Sequence, residues 1–178
     1  MFKRLSLMAA FALSLPALGA GPDGSRDFDF ETGAWHTELK RLREPLSGKP
    51  PVWVEYEGSS LVHAALGSRA NLIELDVGGP AGRIEGVSLR LYQPKTGQWT
   101  LNFANLSDGL LTAPMTGSFR NGVGEFFGED TFKGRPILVR FLILPVTRDV
   151  YRFEQAFSAD GGKNWEVNWL ATDTRLPP

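Results

Sequence analysis

Residues 113–144 read APMTGSFR, then NG, then VGEFFGEDTF, then KG, then RPILVRFLIL. Asn121-Gly122 and Lys133-Gly134 divide the stretch into three strand-length runs. Tight hairpins need residues that tolerate positive φ, and these dipeptides supply them. The stretch therefore reads as two consecutive β-hairpins. Similar punctuation recurs on both sides, at Pro94-Lys95-Thr96-Gly97, Ser107-Asp108-Gly109 and Asp160-Gly161-Gly162.

Reading outward gives ten strands, at 34–43, 52–64, 70–77, 84–92, 98–105, 113–120, 123–132, 136–144, 150–158 and 164–174. The first alternates: Trp35, Thr37 and Leu39 share one face and His36, Glu38 and Lys40 the other, as in a half-buried strand. Glu44–Pro51 carries three prolines and reads as a loop. Evenly spaced strands without long helical stretches predict an all-β chain, one antiparallel sheet forming a barrel or a sandwich. Gly58, Gly86, Gly117, Gly124 and Gly128 fall inside strands, where a coiled, closing sheet uses them. They favour a single antiparallel β-barrel of about eight to ten strands. Phe28–Gly33 predicts a short helical turn ahead of it, its two Phe side chains plugging something apolar.

Residues 1–20 have the layout of a secretory signal peptide. Lys3 and Arg4 form the basic region, Leu5 to Leu15 the apolar one, and Pro16–Ala20 offers small residues for cleavage. That run is too short to span a bilayer. The expectation is a periplasmic or secreted protein, one domain over 21–178, with 21–27 a flexible mature N-terminus and no membrane span after processing.

Composition narrows the function classes. Cys is absent, so there are no disulfides, thiol nucleophiles or thiolate metal sites. Lys+Arg 19 against Asp+Glu 20 gives a net charge of -1, which processing takes to about -3. So balanced a chain gives no electrostatic reason to expect nucleic acid or an anionic membrane as partner. His36 and His63 lie on different strands and fall short of a metal site. His63 would be the candidate if the barrel held haem. No metal and no other cofactor is expected. Hydrolase and nucleotide signatures (G-x-S-x-G, H-E-x-x-H, a phosphate-cradling loop) are missing.

Ser158-Ala159-Asp160-Gly161-Gly162-Lys163-Asn164-Trp165 fits S-x-D-x-G-x-x-W and resembles the Asp-box hairpin of sialidase propellers, a folding element whose Asp caps turn amides. A structural role is expected here. A polar row follows from pairing. If Pro145–Asp149 is a turn, Arg140 faces Glu154; if 158–164 is the next, Glu154 faces Asn168 and Phe157 faces Trp165. Phe141, Phe153, Phe157, Trp165 and Trp169 would occupy the opposite face. Ordinary inside–outside preference puts the aromatics inside and the row outside. Leu138, Leu142 and Leu144 share Arg140's face, so either another segment covers that face or it is the lumen.

Several stretches are similar to those of an uncharacterised family of bacterial lipocalin-like, calycin-type β-barrels. They are Phe28-Asp29-Phe30 with Trp35, Glu57–Val62, Gly86–Tyr92, Gly124-Glu125-Phe126, Val139-Arg140-Phe141 and the ending S-x-D-G-G-x-x-W-E-x-N-W…R over Ser158–Arg175. The resemblance implies a barrel of eight to ten antiparallel strands and brings no established catalytic residue. Asn102-Phe103-Ala104-Asn105 departs from it, where a Trp is expected.

Three function classes follow. The first is binding of a small apolar or amphipathic molecule inside the barrel. Trp35, Tyr56, Trp99 and Phe103, with Arg140, Glu154 and Asn168, are its candidate residues; Phe119, Phe126, Phe153 and Trp169 add aromatics to the interior. The second is a calycin-type lyase or isomerase using a buried carboxylate, Glu74 or Glu154, beside Arg140. The third is an envelope interaction module using the exterior. The sequence leaves catalytic residues, oligomeric state and ligand identity open.

Overall fold

The computed structural model describes residues 23–177. The expected signal peptide and residues 21 and 22 lie outside them. A one-turn 3-10 helix, Asp29–Glu31, precedes ten strands: β1 Gly33–Leu42, β2 Trp53–Ala65, β3 Ala70–Gly79, β4 Gly82–Gln93, β5 Gln98–Asn105, β6 Met115–Arg120, β7 Val123–Phe132, β8 Arg135–Thr147, β9 Val150–Ser158 and β10 Glu166–Arg175. Each strand pairs antiparallel with the next, and β10 returns to pair with β1. The result is a closed all-β barrel.

The turn chemistry is the expected one. Asn121 and Gly122 both take positive φ (53° and 79°), as do Lys133 and Gly134 (51° and 75°). Closure is sharpest where strand glycines press on a neighbour. A Cβ on Gly58 would lie 2.1 Å from the Asp76 carbonyl oxygen, and one on Gly117 would lie 1.9 Å from that of Glu125. Any larger residue at either position would force the two strands apart.

Period-2 alternation sorts the side chains. Trp35, Thr37 and Leu39 of β1 point inward and are buried. The outer face carries the ion pairs Lys40–Glu55 (2.8 Å) and Arg83–Asp76 (2.6 Å), and His63 Nε2 lies 3.1 Å from Glu74 Oε1. Glu74 is thus a surface residue. No helix among the described residues is long and apolar enough to cross a membrane.

Residues 23–27 correct one expectation. They form turns packed on the barrel end rather than a flexible lead-in. Trp99 Nε1 donates to the Gly24 carbonyl at 3.0 Å, and the Tyr92 hydroxyl donates to that of Asp23. Two buried aromatic donors need acceptors, and this segment supplies them.

The polar row is a second correction. β8 runs on to Thr147 with an irregularity at Pro145, so Arg140 lies opposite Ala156, and Leu142 opposite Glu154. Glu154 faces Leu170, not Asn168, which sits in a bulge between Val167 and Trp169. Arg140 still reaches Glu154 diagonally (Nη2 to Oε1, 3.2 Å), on the outside of the barrel. Phe157 faces Glu166, and Trp165 lies outside too. Its ring is 5.1 Å from the Arg140 guanidinium and 6.0 Å from Phe127. The 158–165 hairpin thus lies over the Leu138 and Arg140 part of that outer face.

Candidate ligand cavity

The helical turn builds the cavity floor. Phe28 is buried against Trp99, Phe119 and Phe126, with ring centroids 4.8, 5.1 and 5.9 Å away. Arg175 donates to the carbonyls of Phe30 (2.6 Å) and Thr32 (2.8 Å), and Trp35 Nε1 donates to that of Glu31 (2.6 Å). Side-chain donors from β1 and the far end of the chain thus hold three successive residues of a turn too short to stand alone. The turn closes the barrel end where β1 begins and projects Glu31 into the interior, with none of its surface exposed.

Glu31 meets Arg90 of β4 in a buried ion pair, through Oε2 and Nη1. The Arg90 guanidinium lies 4.2 Å over the Phe28 ring, so the plug packs both members. A second carboxylate, Asp173 of β10, accepts from Thr37 Oγ1 (2.5 Å) and Ser60 Oγ (3.1 Å), with the Tyr151 hydroxyl also beside it. Burial pushes the Glu31 carboxyl up to about 7, against the opposing pull of Arg90. Burial likewise raises Asp173, opposed by Thr37, Ser60 and Tyr151, and raises Tyr151 well above the usual phenol range. Glu31 Oε1, Arg90 Nε and, in the neighbouring strand, Asn71 Oδ1 are buried without a hydrogen-bond partner.

Above this floor lies a cavity of about 210 Å³. Its wall is mainly apolar: Leu39, Leu75, Leu101, Val139, Phe141 and Phe153. The volume falls between the ~150 Å³ cavity that holds a benzene ring and the roughly 300–1,000 Å³ of drug-sized pockets. At its far end the cavity reaches Thr112, Ala113, Glu129 and Asp130, all exposed. There β5 and β6 share only three paired positions and part into the loop 106–114. Leu106, Leu110 and Leu111 stand exposed on that loop.

Of the sequence candidates, Phe103 lines this cavity. Trp35 and Trp99 are buried in the packing around the floor plug, and Tyr56 packs with Leu39, Val77 and Ile84. Phe153 and Trp169 line the cavity, while Phe119 and Phe126 pack on Phe28. Arg140 and Glu154 are outside. Asn168 is buried and accepts from Gln155 Nε2 at 2.7 Å, which places it beside a lining residue. His36 and His63 are on the outer face, beside Glu57 and Glu74.

Sequence reasoning missed Glu31, Arg90 and Asp173. Arg90 was detectable: it shares an inward face with Ile84, Gly86, Ser88 and Tyr92 at strict period two. Glu31 and Asp173 had no comparable signal, because barrel closure alone brings them beside Arg90.

The molecule is thus a small closed β-barrel whose plugged interior keeps a cavity with a charged floor. No protein-family model and no curated protein matches the chain. Solved structures similar to it include an S-type phycobiliprotein lyase, CPES, from Guillardia theta (11% identity, 85% of this chain and 91% of that one, TM-score 0.58). Others are EF1p2_mFAP2b bound to DFHBI (10% identity, 86% and 99%, TM-score 0.47) and a de novo designed fluorescence-activating β-barrel (12%, 85% and 98%, TM-score 0.45). At these identities the likeness is one of fold. The closed antiparallel barrel of eight to ten strands that the sequence resemblance implied is the fold observed, with ten strands.

Proposed function

We propose that the protein is exported to the periplasm or beyond and binds one small apolar or amphipathic molecule inside its barrel. The observation that carries this reading is the cavity of about 210 Å³ with an apolar wall, ending on buried polar atoms that lack partners. A polar atom buried without a partner costs about 1–3 kcal/mol. A ligand whose polar end meets these atoms recovers that cost, while its apolar part takes up the wall. The phycobiliprotein lyase of similar fold agrees with a barrel that handles a small molecule, without setting it. Export rests on the basic, apolar and small-residue order of residues 1–20.

The test is a titration with an environment-sensitive apolar dye, on the protein as purified and on Ala171→Trp, which fills the lumen from β10. Saturable binding at one site, lost in the filled but folded variant, supports the reading. Binding unchanged by the filling, or no binding at all, overturns it.

One observation favours an acid–base enzyme as a second reading. Glu31, with its carboxyl near 7 and an Arg alongside, suits proton transfer in a lyase or isomerase better than surface-exposed Glu74 or Glu154. Turnover that follows a single ionisation near pH 7 and vanishes in Glu31→Gln would select it over passive binding.

A further inference from the structure

The charges around the cavity are unequal. Its lining carries four carboxylates and one cation: Glu31 and Asp173 with Arg90 at the floor, Glu129 and Asp130 at the open end. Arg90 is committed to Glu31, so Asp173 faces the lumen with hydroxyl donors alone. Of the buried atoms without a partner, Glu31 Oε1 and Arg90 Nε belong to residues that line the floor. A carboxylate ligand would bring a further negative charge with no free cation to meet it. An ammonium would bring the missing charge and donors together.

We infer that the cavity takes an amphipathic amine as its cation, the ammonium placed at the Glu31–Asp173 floor and the apolar part along the Leu39, Leu101 and Phe153 wall. This rests on the lumen-binding reading and adds the chemistry of the ligand's head. The acidic rim at Glu129 and Asp130 draws the same cation toward the opening. Burial raises both floor carboxylates, Glu31 to about 7, so below that pH the empty site holds a proton that the ammonium replaces. The amine enters protonated and the carboxyl proton leaves to solvent, which balances charge across the step. Arg90 is the one cation facing Glu31 and Asp173 in the lining; Tyr151, Thr37 and Ser60 face Asp173 as neutral donors.

The test uses the unmodified protein and three molecules with one tail: hexylamine, hexanoate and hexanol. Binding is followed by calorimetry in two buffers of different ionisation enthalpy. Hexylamine should bind about tenfold or more tighter than either analogue, the effect of one charge-assisted hydrogen bond. It should release a proton near pH 6 and little above pH 8. Asp173→Asn, which keeps shape and neighbours, should erase most of the preference. Hexanoate or hexanol binding as tightly as the amine overturns the inference while leaving lumen binding intact. If none of the three binds, yet the dye binds in the lumen, the amine inference also fails. Failure of both the series and the dye removes the lumen-binding reading itself.

Discussion

Glu31 and Arg90 stand 59 residues apart in sequence and form an ion pair in which neither side chain is more than 7% exposed. The pair ties the N-terminal plug to β4 and forms half of the cavity floor. Removing one partner strands the other charge in the interior, which costs about 3–5 kcal/mol, whereas replacing both by apolar residues leaves no charge behind. Glu31→Leu and Arg90→Met should each lower the urea midpoint strongly, and the double variant should recover much of the loss. Equal and additive single effects would show that the plug is held by its other contacts, through Phe28, Trp35 and Arg175.

The same carboxyl sets a pH dependence. Burial raises Glu31 from 4.5 to about 7, so between those values the folded protein keeps a proton that the unfolded chain has released. Stability must then fall as pH rises through about 4.5 to 7 and level off above. Asp173, also raised, adds to the decline from the lower end. Glu31→Gln should flatten most of the slope in denaturant melts taken at several pH values. A wild-type stability that climbs across this window would mean that Arg90 outweighs desolvation.

Much of the fold was legible because turn chemistry is local. β5, β7 and β9 begin and end where the sequence placed them, each bounded by residues able to turn. The β8–β9 pairing slipped by two because Pro145–Thr147 continues the strand through an irregularity before a tighter turn. A slip of two preserves the inward and outward faces, so Arg140 and Glu154 stayed outside while the row through Asn168 dissolved. The cavity floor was less legible for a different reason. Glu31 lies on a three-residue turn, Arg90 on β4 and Asp173 on β10, and only closure gathers them.

Closure itself can be probed at Gly117. Its missing side chain admits the Glu125 carbonyl of β7, 1.9 Å from where a Cβ would sit. Gly117→Ala should destabilise by about 1–3 kcal/mol, since the backbone must move. Gly78→Ala, also in a strand but with open space around its Cβ position, is the control and should be milder. Similar thermal midpoints for the two would count against tight coiling at β6.

The outer pair behaves differently from the inner one. Arg140 and Glu154 are 22% and 24% exposed and joined by one contact of 3.2 Å. Their coupling in a double-mutant cycle should be about 0–1 kcal/mol. Arg140→Leu should exceed Glu154→Leu slightly, because Arg140 also lies against Trp165 and an exposed cation–π contact contributes about 0.5–1 kcal/mol. A coupling several times larger would mean that the 158–165 hairpin seals this pair from water.

That hairpin makes a separate prediction. Asp160 accepts the backbone amides of Lys163 (3.1 Å) and Asn164 (3.0 Å), the Asn164 side chain (2.6 Å) and the Ser158 hydroxyl (2.8 Å). The Asn164 bonds, backbone then side chain, do most to hold its carboxyl down at about 2. Such bonds favour the ionised form, so the stability they give is complete above the ordinary carboxylate range and is lost as pH falls from about 4 to 2. Asp160→Ala should therefore lower the melting temperature at pH 7. The gap to wild type should narrow steadily below pH 4 and nearly close at pH 2. Dye binding in the lumen should be unchanged, because the hairpin lies on the outer face under Trp165 and touches the cavity nowhere. A loss of dye binding at unchanged melting temperature would instead make the hairpin part of the site, and a gap that persists at pH 2 would trace the stability to packing rather than to the ionised carboxylate.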